Sequence, residues 1–378
     1  MRRRLPSPLL VVLWICFEDF ELKKIRVLVV DDSALVRSLL AEIINRQPDM
    51  ECVGSANDPL IAREMIRELN PDVITLDIEM PRMDGLTFLK ILSQHHPMPV
   101  VVISSLTQAG SQAAVTALEY GAVDVLAKPS SAWNLGELRE QLAHRIKGAA
   151  RARIKPISPG VVATGAQNNG PAVNFSPRQL IVIGASTGGT EAIKSVLTRL
   201  PVGLPGICIV QHIPPVFSKA FSERLNECCE IEVREAASGD EVRPGTALIA
   251  PGDFHMVVEW DVNCYRVRLR QDPPIHFTRP AVDMLFNSAA KAAGRNALGV
   301  ILTGMGRDGA QGMQQLKSAG AINLAQNEET CVVYGMPKAA VDLGVVDRTL
   351  PLDLIPHAMV HALRERATGK SENAVSMK

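Results

Sequence analysis

The sequence predicts two α/β domains in tandem, each a doubly wound and mainly parallel sheet, and three observations carry this prediction. Short apolar runs of strand length alternate with longer stretches of helical periodicity in both halves of the chain. A length of 378 residues allows about two domains, and 47% hydrophobic residues can fill two cores. A stretch rich in Gly, Pro and Asn separates the halves. We expect a five-stranded parallel domain over 23–148, a linker over 149–178 and a second domain over 179–369.

Charge and cysteine content exclude several classes of protein. Lys and Arg together number 40, as do Asp and Glu, so no basic excess favours nucleic-acid binding. The seven cysteines are scattered and form no C-x-x-C pair. This argues against a zinc site or a disulfide framework and indicates the reduced thiols of a cytoplasmic protein.

Both ends of the chain carry segments outside the predicted domains. Three arginines at 2–4 precede an apolar run at 9–17, a form typical of a signal peptide. The run is too short to span a bilayer, and no cleavage-site pattern follows it. We interpret 1–22 as a non-native or disordered extension from a start codon placed too far upstream, and 370–378 as a disordered tail. We expect no direct membrane insertion.

Five apolar runs in the first half predict the strands of its sheet. The first, Ile25 to Val30, ends in the acidic pair Asp31 and Asp32, and Ser33 is placed to cap the following helix. The other four predicted strands are 53–55, 73–77, 100–104 and 122–128.

Polar residues at the ends of these strands point to a metal site. Parallel sheets bind ligands at the carboxyl ends of their strands, where five residues would converge: Asp31, Asp32, Asp77, Ser104 and Lys128. Three carboxylates repel one another unless a cation lies between them, and a small site with oxygen ligands suits Mg²⁺. A single strand-end Asp is usually a helix cap, which does not explain this combination. The sequence therefore predicts that Asp31, Asp32 and Asp77 form a Mg²⁺ site.

The stretch from Asp77 to Gly85, which reads Asp-Ile-Glu-Met-Pro-Arg-Met-Asp-Gly, resembles the phosphorylation loop of response regulator receiver domains. The resemblance covers about 24–148. It implies that Asp77 accepts a phosphoryl group, and that Asp32 helps to hold Mg²⁺ with Asp31 nearby.

The same resemblance implies two residues that respond to the phosphoryl group. Ser104 senses the phosphate and Lys128 pairs with it. Ser105 is the alternative to Ser104, because the pattern does not fix the distance to the next glycine.

The second half opens with an apolar run that breaks into glycines around Ser186. Leu180 to Ile183 predicts a buried strand, and Thr190 to Leu200 predicts the helix after it. Gly184 and Gly188 give the G-x-S-x-G spacing of a nucleophile elbow, a sharp turn that exposes the serine Oγ. A turn that cradles a phosphate on backbone N–H groups is the alternative. Ser186 is the candidate nucleophile.

Two other strand ends supply the partners that a serine nucleophile needs. The run 206–212 predicts a strand ending at His212, one strand-helix-strand unit after Ser186, so both side chains reach the same sheet edge. Asp308 follows the predicted strand 297–303 in the same way. A histidine takes the serine proton, and a carboxylate orients that histidine. The order Ser, His, Asp differs from that of α/β-hydrolases, so we do not predict that fold.

The residues leave alternatives open at this site. His255 or His276 could be the base, and Asp253 or Asp283 could orient it. Any one histidine, considered alone, is more often structural.

Four motifs of the second half resemble the CheB family of chemotaxis methylesterases, and the resemblance covers about 22–369, including the domain order. The motifs are Gly184-Ala-Ser-Thr-Gly-Gly189, Gln211-His-Ile-Pro214, Arg279-Pro-Ala-Val-Asp283 and Thr303-Gly-Met-Gly-Arg-Asp-Gly309. The resemblance implies a triad of Ser186, His212 and Asp308 and an oxyanion contact from the N–H of Met305. Elbow geometry adds the N–H of Thr187 as the second donor.

The resemblance and the two-domain layout together predict a hydrolase of γ-glutamyl methyl esters on chemoreceptors, which also deamidates receptor glutamines. The histidine kinase CheA is the expected phosphodonor, and no cofactor is expected for the ester reaction. Without phosphorylation, the first domain is expected to cover the cleft of Ser186. Two other interpretations are a response regulator with a non-catalytic, protein-binding output and a serine hydrolase of small esters. The latter predicts an aromatic pocket, yet only 4% of residues are aromatic.

Overall fold

The computed structural model describes residues 23–81, 83–128, 135–154 and 175–368. In these ranges the chain forms two α/β domains in sequence order, as predicted. None of the helices in the described ranges combines the length and the apolar character needed to cross a membrane. The predicted extension 1–22 and the predicted tail 370–378 lie outside the described residues.

The N-terminal domain alternates strands and helices. Its elements are β1 (Ile25–Val30), α1 (Ala34–Asn45), β2 (Met50–Ala56), α2 (Pro59–Leu69), β3 (Val73–Asp77), α3 (Gly85–His95), β4 (Val100–Ser104), α4 (Gln108–Glu119), β5 (Asp124–Ala127) and α5 (Leu135–Ala150). The strands form one parallel sheet in the order β2-β1-β3-β4-β5, which confirms the predicted architecture. Every residue of β3 and β4 is buried, as expected for central strands with helices on both faces.

The C-terminal domain is built around a seven-stranded parallel sheet. Its elements are β6 (Leu180–Ala185), α6 (Gly189–Leu197), β7 (Ile207–Gln211), α7 (Phe217–Cys228), β8 (Glu232–Glu235), β9 (Thr246–Ile249), β10 (His255–Asp261), β11 (Cys264–Arg270), α8 (Val282–Ala293), β12 (Ala297–Ile301), α9 (Ala310–Ser318), β13 (Ile322–Gln326), α10 (Met336–Asp342), β14 (Arg348–Leu350) and α11 (Ile355–Thr368). The strand order is β14-β13-β12-β6-β7-β9-β8. Because β6 lies between β12 and β7, the residues that follow these three strands meet at one edge of the sheet.

Several strands of this domain were not predicted. The hairpin of β10 and β11 is antiparallel and separate from the main sheet, and β8, β9, β13 and β14 were also missed. In β11 polar and apolar residues alternate, which is the signal of a half-buried strand and could have been recognised. The short edge strands carry too few residues for such a pattern.

The predicted domain boundary at 148 is shifted in the structure. Helix α5 continues to Ala150, so the first two residues of the predicted linker 149–178 are helical. Ala149 is fully buried in the core of the N-terminal domain, which shows that the small residues here allow close packing and do not mark a linker. Residues 155–174, most of the predicted linker, lie outside the described residues.

The two domains pack against each other, and α4 lies against α7. Glu119 at the end of α4 accepts hydrogen bonds from Lys194 Nζ at 2.6 Å and from Arg224 Nε at 3.0 Å. Burial favours the neutral form of Glu119, but these two cations outweigh it and lower the pKa of the carboxyl group. One cluster of buried apolar side chains extends from the N-terminal sheet into the C-terminal domain.

Close packing of α8 on β6 depends on Gly184, which gives a test of the fold. A Cβ at Gly184 would lie 2.2 Å from Cγ1 of Val282, so Gly184→Ala overpacks this contact. We expect a loss of about 1–3 kcal/mol in unfolding free energy, which calorimetry would detect as a lower Tm. In the double variant Gly184→Ala/Val282→Ala the space is restored, so its destabilisation should be smaller than the sum of the two single effects. Additive effects would contradict this account.

Candidate active site

Ser186 lies in the turn between β6 and α6, at the carboxyl edge of the sheet. Its N–H donates to the Thr303 carbonyl at 3.0 Å, and its carbonyl accepts from Gly189 N–H at 2.6 Å and from Gln211 Nε2 at 2.9 Å. Gly188 has φ 74°, in the left-handed region that favours glycine. A Cβ at Gly188 would also collide with a valine side chain at 2.5 Å. Hydrogen bonds therefore hold the turn at both the N–H and the carbonyl of Ser186, and only glycine fits at position 188.

Ser186, His212 and Asp308 are brought together in one chain of hydrogen bonds. His212 Nδ1 lies 3.0 Å from Ser186 Oγ, and His212 Nε2 lies 2.8 Å from Asp308 Oδ2. An ionised carboxylate only accepts hydrogen bonds, so Nε2 carries the proton and Nδ1 is left to accept from the serine hydroxyl. All three side chains are buried. The arrangement can deprotonate Ser186 as it attacks an acyl carbon.

Asp308 is held as a charged group by the start of α8. Its Oδ2 also accepts from the N–H of Val282 at 2.7 Å, and its Oδ1 accepts from the N–H of Asp283 at 2.9 Å. Burial opposes the charge, but the hydrogen bonds from His212 and from these N–H groups outweigh burial and lower the pKa of Asp308. The carboxylate is thus ionised and fixed where it can orient His212.

His255, an alternative base, is occupied by backbone groups. Its Nδ1 accepts from the N–H of Ala281 at 3.1 Å, so its Nε2 carries the proton and donates to the Pro273 carbonyl at 3.1 Å. Burial lowers the pKa of His255, in keeping with this neutral form. His255 therefore ties the end of the hairpin to the segment before α8 and has no free nitrogen to act as a base.

Among the described residues, none of the other three alternatives forms a hydrogen bond or ion pair with Ser186 or His212. His276 is half-buried in a turn, with Nε2 3.9 Å from Asp283 Oδ2. Asp253 pairs with Arg279. Asp283 contacts the backbone of α9, where its Oδ1 accepts from Gly312 N–H at 2.7 Å.

The predicted oxyanion donors, Thr187 and Met305, lie on the loops that follow β6 and β12. Neither backbone N–H donates a hydrogen bond to another described residue. Helix α5 of the N-terminal domain packs against the side chains of both residues. A Cβ at Gly148 of this helix would lie 3.2 Å from Met305 Sδ and 3.2 Å from Thr187 Oγ1.

Family models and a relative show the family to which the chain belongs. The model of the CheB methylesterase matches residues 181–359, and the model of the response regulator receiver domain matches residues 27–141. The protein-glutamate methylesterase/protein-glutamine glutaminase 1 of Albidiferax ferrireducens is 53% identical over 362 residues, which are 93% of this chain and 97% of that protein. The chain belongs to the CheB methylesterase family. This confirms the predicted class, a methylesterase with a response regulator receiver domain.

A second relative gives the same result. The protein-glutamate methylesterase/protein-glutamine glutaminase 2 of Syntrophus aciditrophicus is 51% identical over 340 residues, covering 90% of this chain and 99% of that protein. The crystal structure of the Thermotoga maritima CheB methylesterase catalytic domain is similar at 40% sequence identity and a TM-score of 0.48, covering 48% of this chain and 97% of that one.

The receiver domain of this CheB methylesterase touches the turn that carries Ser186. The carbonyl of Val123 accepts from the N–H of Gly188 at 3.2 Å, and Oδ2 of Asp124 accepts from the Thr187 hydroxyl at 3.0 Å. Val123 and Asp124 lie at the start of β5. The receiver therefore forms hydrogen bonds to Thr187 and Gly188, the two residues that follow Ser186.

Arg145 of α5 completes this contact. It forms an ion pair with Asp124 Oδ1, and its Nη2 lies 3.5 Å from the His212 carbonyl. Both side chains of the pair are largely buried, so removal of one partner would leave an uncompensated charge at the interface. Sequence reasoning missed Asp124, Arg145 and Gly148, because no local pattern indicates which receiver face meets the second domain.

The other site of this CheB methylesterase is the predicted acidic cluster of the receiver. Oxygens of Asp31, Asp32 and Asp77 lie within 4.8 Å of one another. Lys128 Nζ lies 2.6 Å from Asp77 Oδ2 and 3.2 Å from Asp31 Oδ2. Burial raises the pKa of Asp77, and Lys128 only partly offsets this. For Lys128, burial acts against the charge, but the two carboxylates outweigh it and raise the pKa.

The cluster fits the divalent cation predicted from the sequence. Asp31 Oδ2 is buried and, although Lys128 Nζ lies 3.2 Å away, it accepts no well-aligned hydrogen bond from the described part of the chain, so it keeps the capacity to coordinate a cation. The donors are all carboxylate oxygens, the type that Mg²⁺ prefers. Asp31, Asp32 and Asp77 would hold the ion, whose charge would offset that of an incoming phosphoryl group.

Ser104 and Ser105 have different surroundings near this cluster. Ser104 is fully buried, and its hydroxyl donates to the Gly110 carbonyl at 3.0 Å. The hydroxyl of Ser105 donates to Glu79 Oε1 at 2.7 Å. Ser104 ends β4 beside β5, so a hydroxyl released from Gly110 would stand at the same sheet edge as Asp77. Ser104 remains the predicted phosphate-sensing residue.

His212 and His255 provide a matched test of the base. His212→Ala should slow the reaction of Ser186 with a fluorophosphonate by about 10³-fold or more, because the hydroxyl loses its proton acceptor. His255→Gln keeps a donor and an acceptor and should leave the labelling rate close to that of the unaltered chain. Mass spectrometry of the Ser186 peptide measures the rate. Fast labelling of the His212 variant, or slow labelling of the folded His255 variant, would contradict the assignment.

Proposed function

We propose that this chain hydrolyses γ-glutamyl methyl esters of chemoreceptors to glutamate and methanol, with Ser186 as nucleophile, His212 as base and Asp308 as its orienting carboxylate. The observation that carries the proposal is the continuous set of hydrogen bonds from Ser186 Oγ through His212 to Asp308. The names of the relatives support the substrate class, because they combine protein-glutamate methylesterase with protein-glutamine glutaminase. We include the deamidation of receptor glutamines in the proposal.

The reaction proceeds in two steps through an acyl-enzyme. Ser186 Oγ bonds to the ester carbonyl carbon while its proton passes to His212 Nδ1, and the N–H groups of Thr187 and Met305 stabilise the oxyanion. The C–O bond to the methoxy group breaks, and His212 returns the proton to release methanol. Water then attacks the acyl carbon and gives a proton to His212, which passes a proton to Ser186 Oγ as the bond between Oγ and the acyl carbon breaks and glutamate is released. With a glutamine substrate, ammonia leaves in place of methanol.

Two other candidate functions have less support. A non-catalytic, protein-binding output gives no reason for a buried imidazole that joins a serine hydroxyl to an ionised carboxylate. A hydrolase of small esters would need an enclosed apolar pocket. The proposal of a protein substrate is supported by the relatives' names and by the edge position of Ser186.

We infer that the receiver inhibits the esterase by covering Ser186 and that phosphorylation at Asp77 relieves this inhibition. The contacts of Val123, Asp124 and Gly148 support the inference, since a receptor segment needs the space that they occupy. Lys128 contacts Asp77 and follows directly on β5, whose first residue is Asp124. The expected phosphodonor is the histidine kinase CheA, and phosphorylation would require Mg²⁺ at the acidic cluster.

Ser186→Ala and Asp77→Asn separate the two activities. With methyl-labelled chemoreceptor and a small-molecule phosphodonor, Ser186→Ala should release no methanol above background, because the acyl-enzyme cannot form. Its phosphorylation at Asp77 should be unchanged. Asp77→Asn should keep the basal rate of methanol release and lose only the response to the phosphodonor. Methanol release by the Ser186 variant would remove this residue from the proposed role.

Gly148 tests the inhibitory contact. Gly148→Leu inserts a side chain between α5 and the loops of Thr187 and Met305, which should shift the domains towards the open arrangement by about 5- to 150-fold. Methanol release should then rise without a phosphodonor, also in the double variant with Asp77→Asn. Glu68→Leu adds the same side chain at an exposed position of α2 and should change nothing. An unchanged rate in a folded Gly148→Leu protein would contradict simple occlusion.

A further inference from the structure

Two buried carboxylates, Asp308 and Asp283, lie close together at the start of α8, and the mechanism uses only the one that contacts His212. Asp308 orients His212, whereas Asp283 has no part in the proposed reaction. Asp283 is 4% exposed and Asp308 is 2% exposed. Burial and the nearby charge of Asp308 raise the pKa of Asp283. Placing two acids together in the interior is unfavourable, so the arrangement calls for an explanation.

Asp308 caps a helix that has no cap of its own. The residue before α8 is Ala281, whose side chain cannot accept a hydrogen bond. The carboxylate of Asp308 takes that place from outside the helix, because it accepts from the N–H groups of Val282 and Asp283. A helix N-terminus attracts an anion, so this contact stabilises both the helix and the charge.

Asp283 in turn caps the helix that follows Asp308. Helix α9 begins after Gly309, which has no side chain to cap it. Oδ1 of Asp283 accepts from the N–H of Gly312 in the first turn of α9 at 2.7 Å. Asp308 therefore caps α8, which contains Asp283, and Asp283 caps α9, which follows Asp308. These hydrogen bonds hold the segment that carries Asp308 between the two helix starts.

The helices approach closely at this point, which leaves no room for another arrangement. A Cβ at Gly312 would lie 2.5 Å from Phe286 Cβ and 3.2 Å from Asp283 Oδ1. This close packing therefore fixes the position at which the loop from β12 to α9 ends. A change in the start of α9 would shift Asp308 relative to His212, because only one residue separates Asp308 from that helix.

We propose that Asp283 is a positioning residue for the esterase reaction: by capping α9 it keeps the Asp308 carboxylate within hydrogen-bond distance of His212. This inference rests on the proposed function. The role belongs to the acceptor oxygen of Asp283 and not to its charge, since Gly312 N–H needs only an acceptor. An amide at position 283 should therefore serve almost as well as a carboxylate.

The test compares variants of the full chain at saturating phosphodonor. Asp283→Ala removes the cap, and Asp283→Asn keeps an acceptor oxygen. Asn323→Ala is the matched control, because this buried side chain donates to the Met313 carbonyl of the same helix α9 at 2.8 Å and to the Val345 carbonyl at 2.9 Å but forms no hydrogen bond with a described residue of the Asp308 loop. For each variant, kcat and KM of methanol release, the fluorophosphonate labelling rate of Ser186 and the Tm are measured.

We expect Asp283→Ala to lower kcat and the labelling rate by about 10- to 100-fold, with KM little changed, as for other residues that orient a catalytic group. Asp283→Asn should recover most of this loss. Asn323→Ala should lower the Tm and leave kcat unaltered. Equal kcat for Asp283→Ala and Asn323→Ala per folded molecule, or no recovery with Asn, would overturn the inference. Failure of the proposed function would give a different result, because the unaltered chain would then release no methanol. The labelling rates of Ser186 would still test the positioning role of Asp283.

Discussion

The proposed active site depends on the order of three neighbouring parallel strands. In β7, β6 and β12 the chain runs in one direction, so the residues after each strand emerge at the same edge. Ala185 pairs with Gln211 in this register, which sets Ser186 beside His212. A slip by one residue would reverse the direction of every side chain along a strand. The fully buried apolar faces of these strands prevent such a slip, so the core of the domain also fixes the geometry of catalysis.

Buried charge imposes the second constraint, and the two domains satisfy it differently. In the methylesterase domain, Asp308 is compensated by two backbone N–H groups at the start of α8, whose positions are set by the helix. In the receiver, Asp77 is compensated by Lys128, whose long side chain can follow a change at the carboxylate. A rigid partner suits the role proposed for Asp308, which must stay in place through each turnover. A movable partner suits the role proposed for Asp77, whose charge would change on phosphorylation.

The sequence was sufficient where structure is decided locally. Continuous apolar runs predicted the central strands, and the glycines around Ser186 predicted the turn, because each depends on a few adjacent residues. His212 could not be separated from His255 in the same way, since the partners of His255 are backbone groups that leave no pattern. Residues 149 and 150 were assigned to a linker because small residues are common both in linkers and in tightly packed helix ends. The receiver contacts at Asp124 and Arg145 depend on how two domains dock, which no spacing within either domain records.

The short strand β5 connects a contact with the second domain to a contact with the acidic cluster of the receiver. This strand has four residues, from Asp124 to Ala127, and all are buried. Asp124 at its start contacts the turn after Ser186, whereas Lys128 directly after its end contacts Asp77. A strand fixed by parallel pairing to β4 is stiff along its length, so a displacement of Lys128 is not absorbed by local bending. The ion pair of Asp124 with Arg145 is stable only while both groups keep their positions in the interface, because a buried charge without its partner is strongly unfavourable. Under the proposed inhibition, a displacement of Lys128 would therefore reach Asp124 through β5 and break its contact with the turn after Ser186.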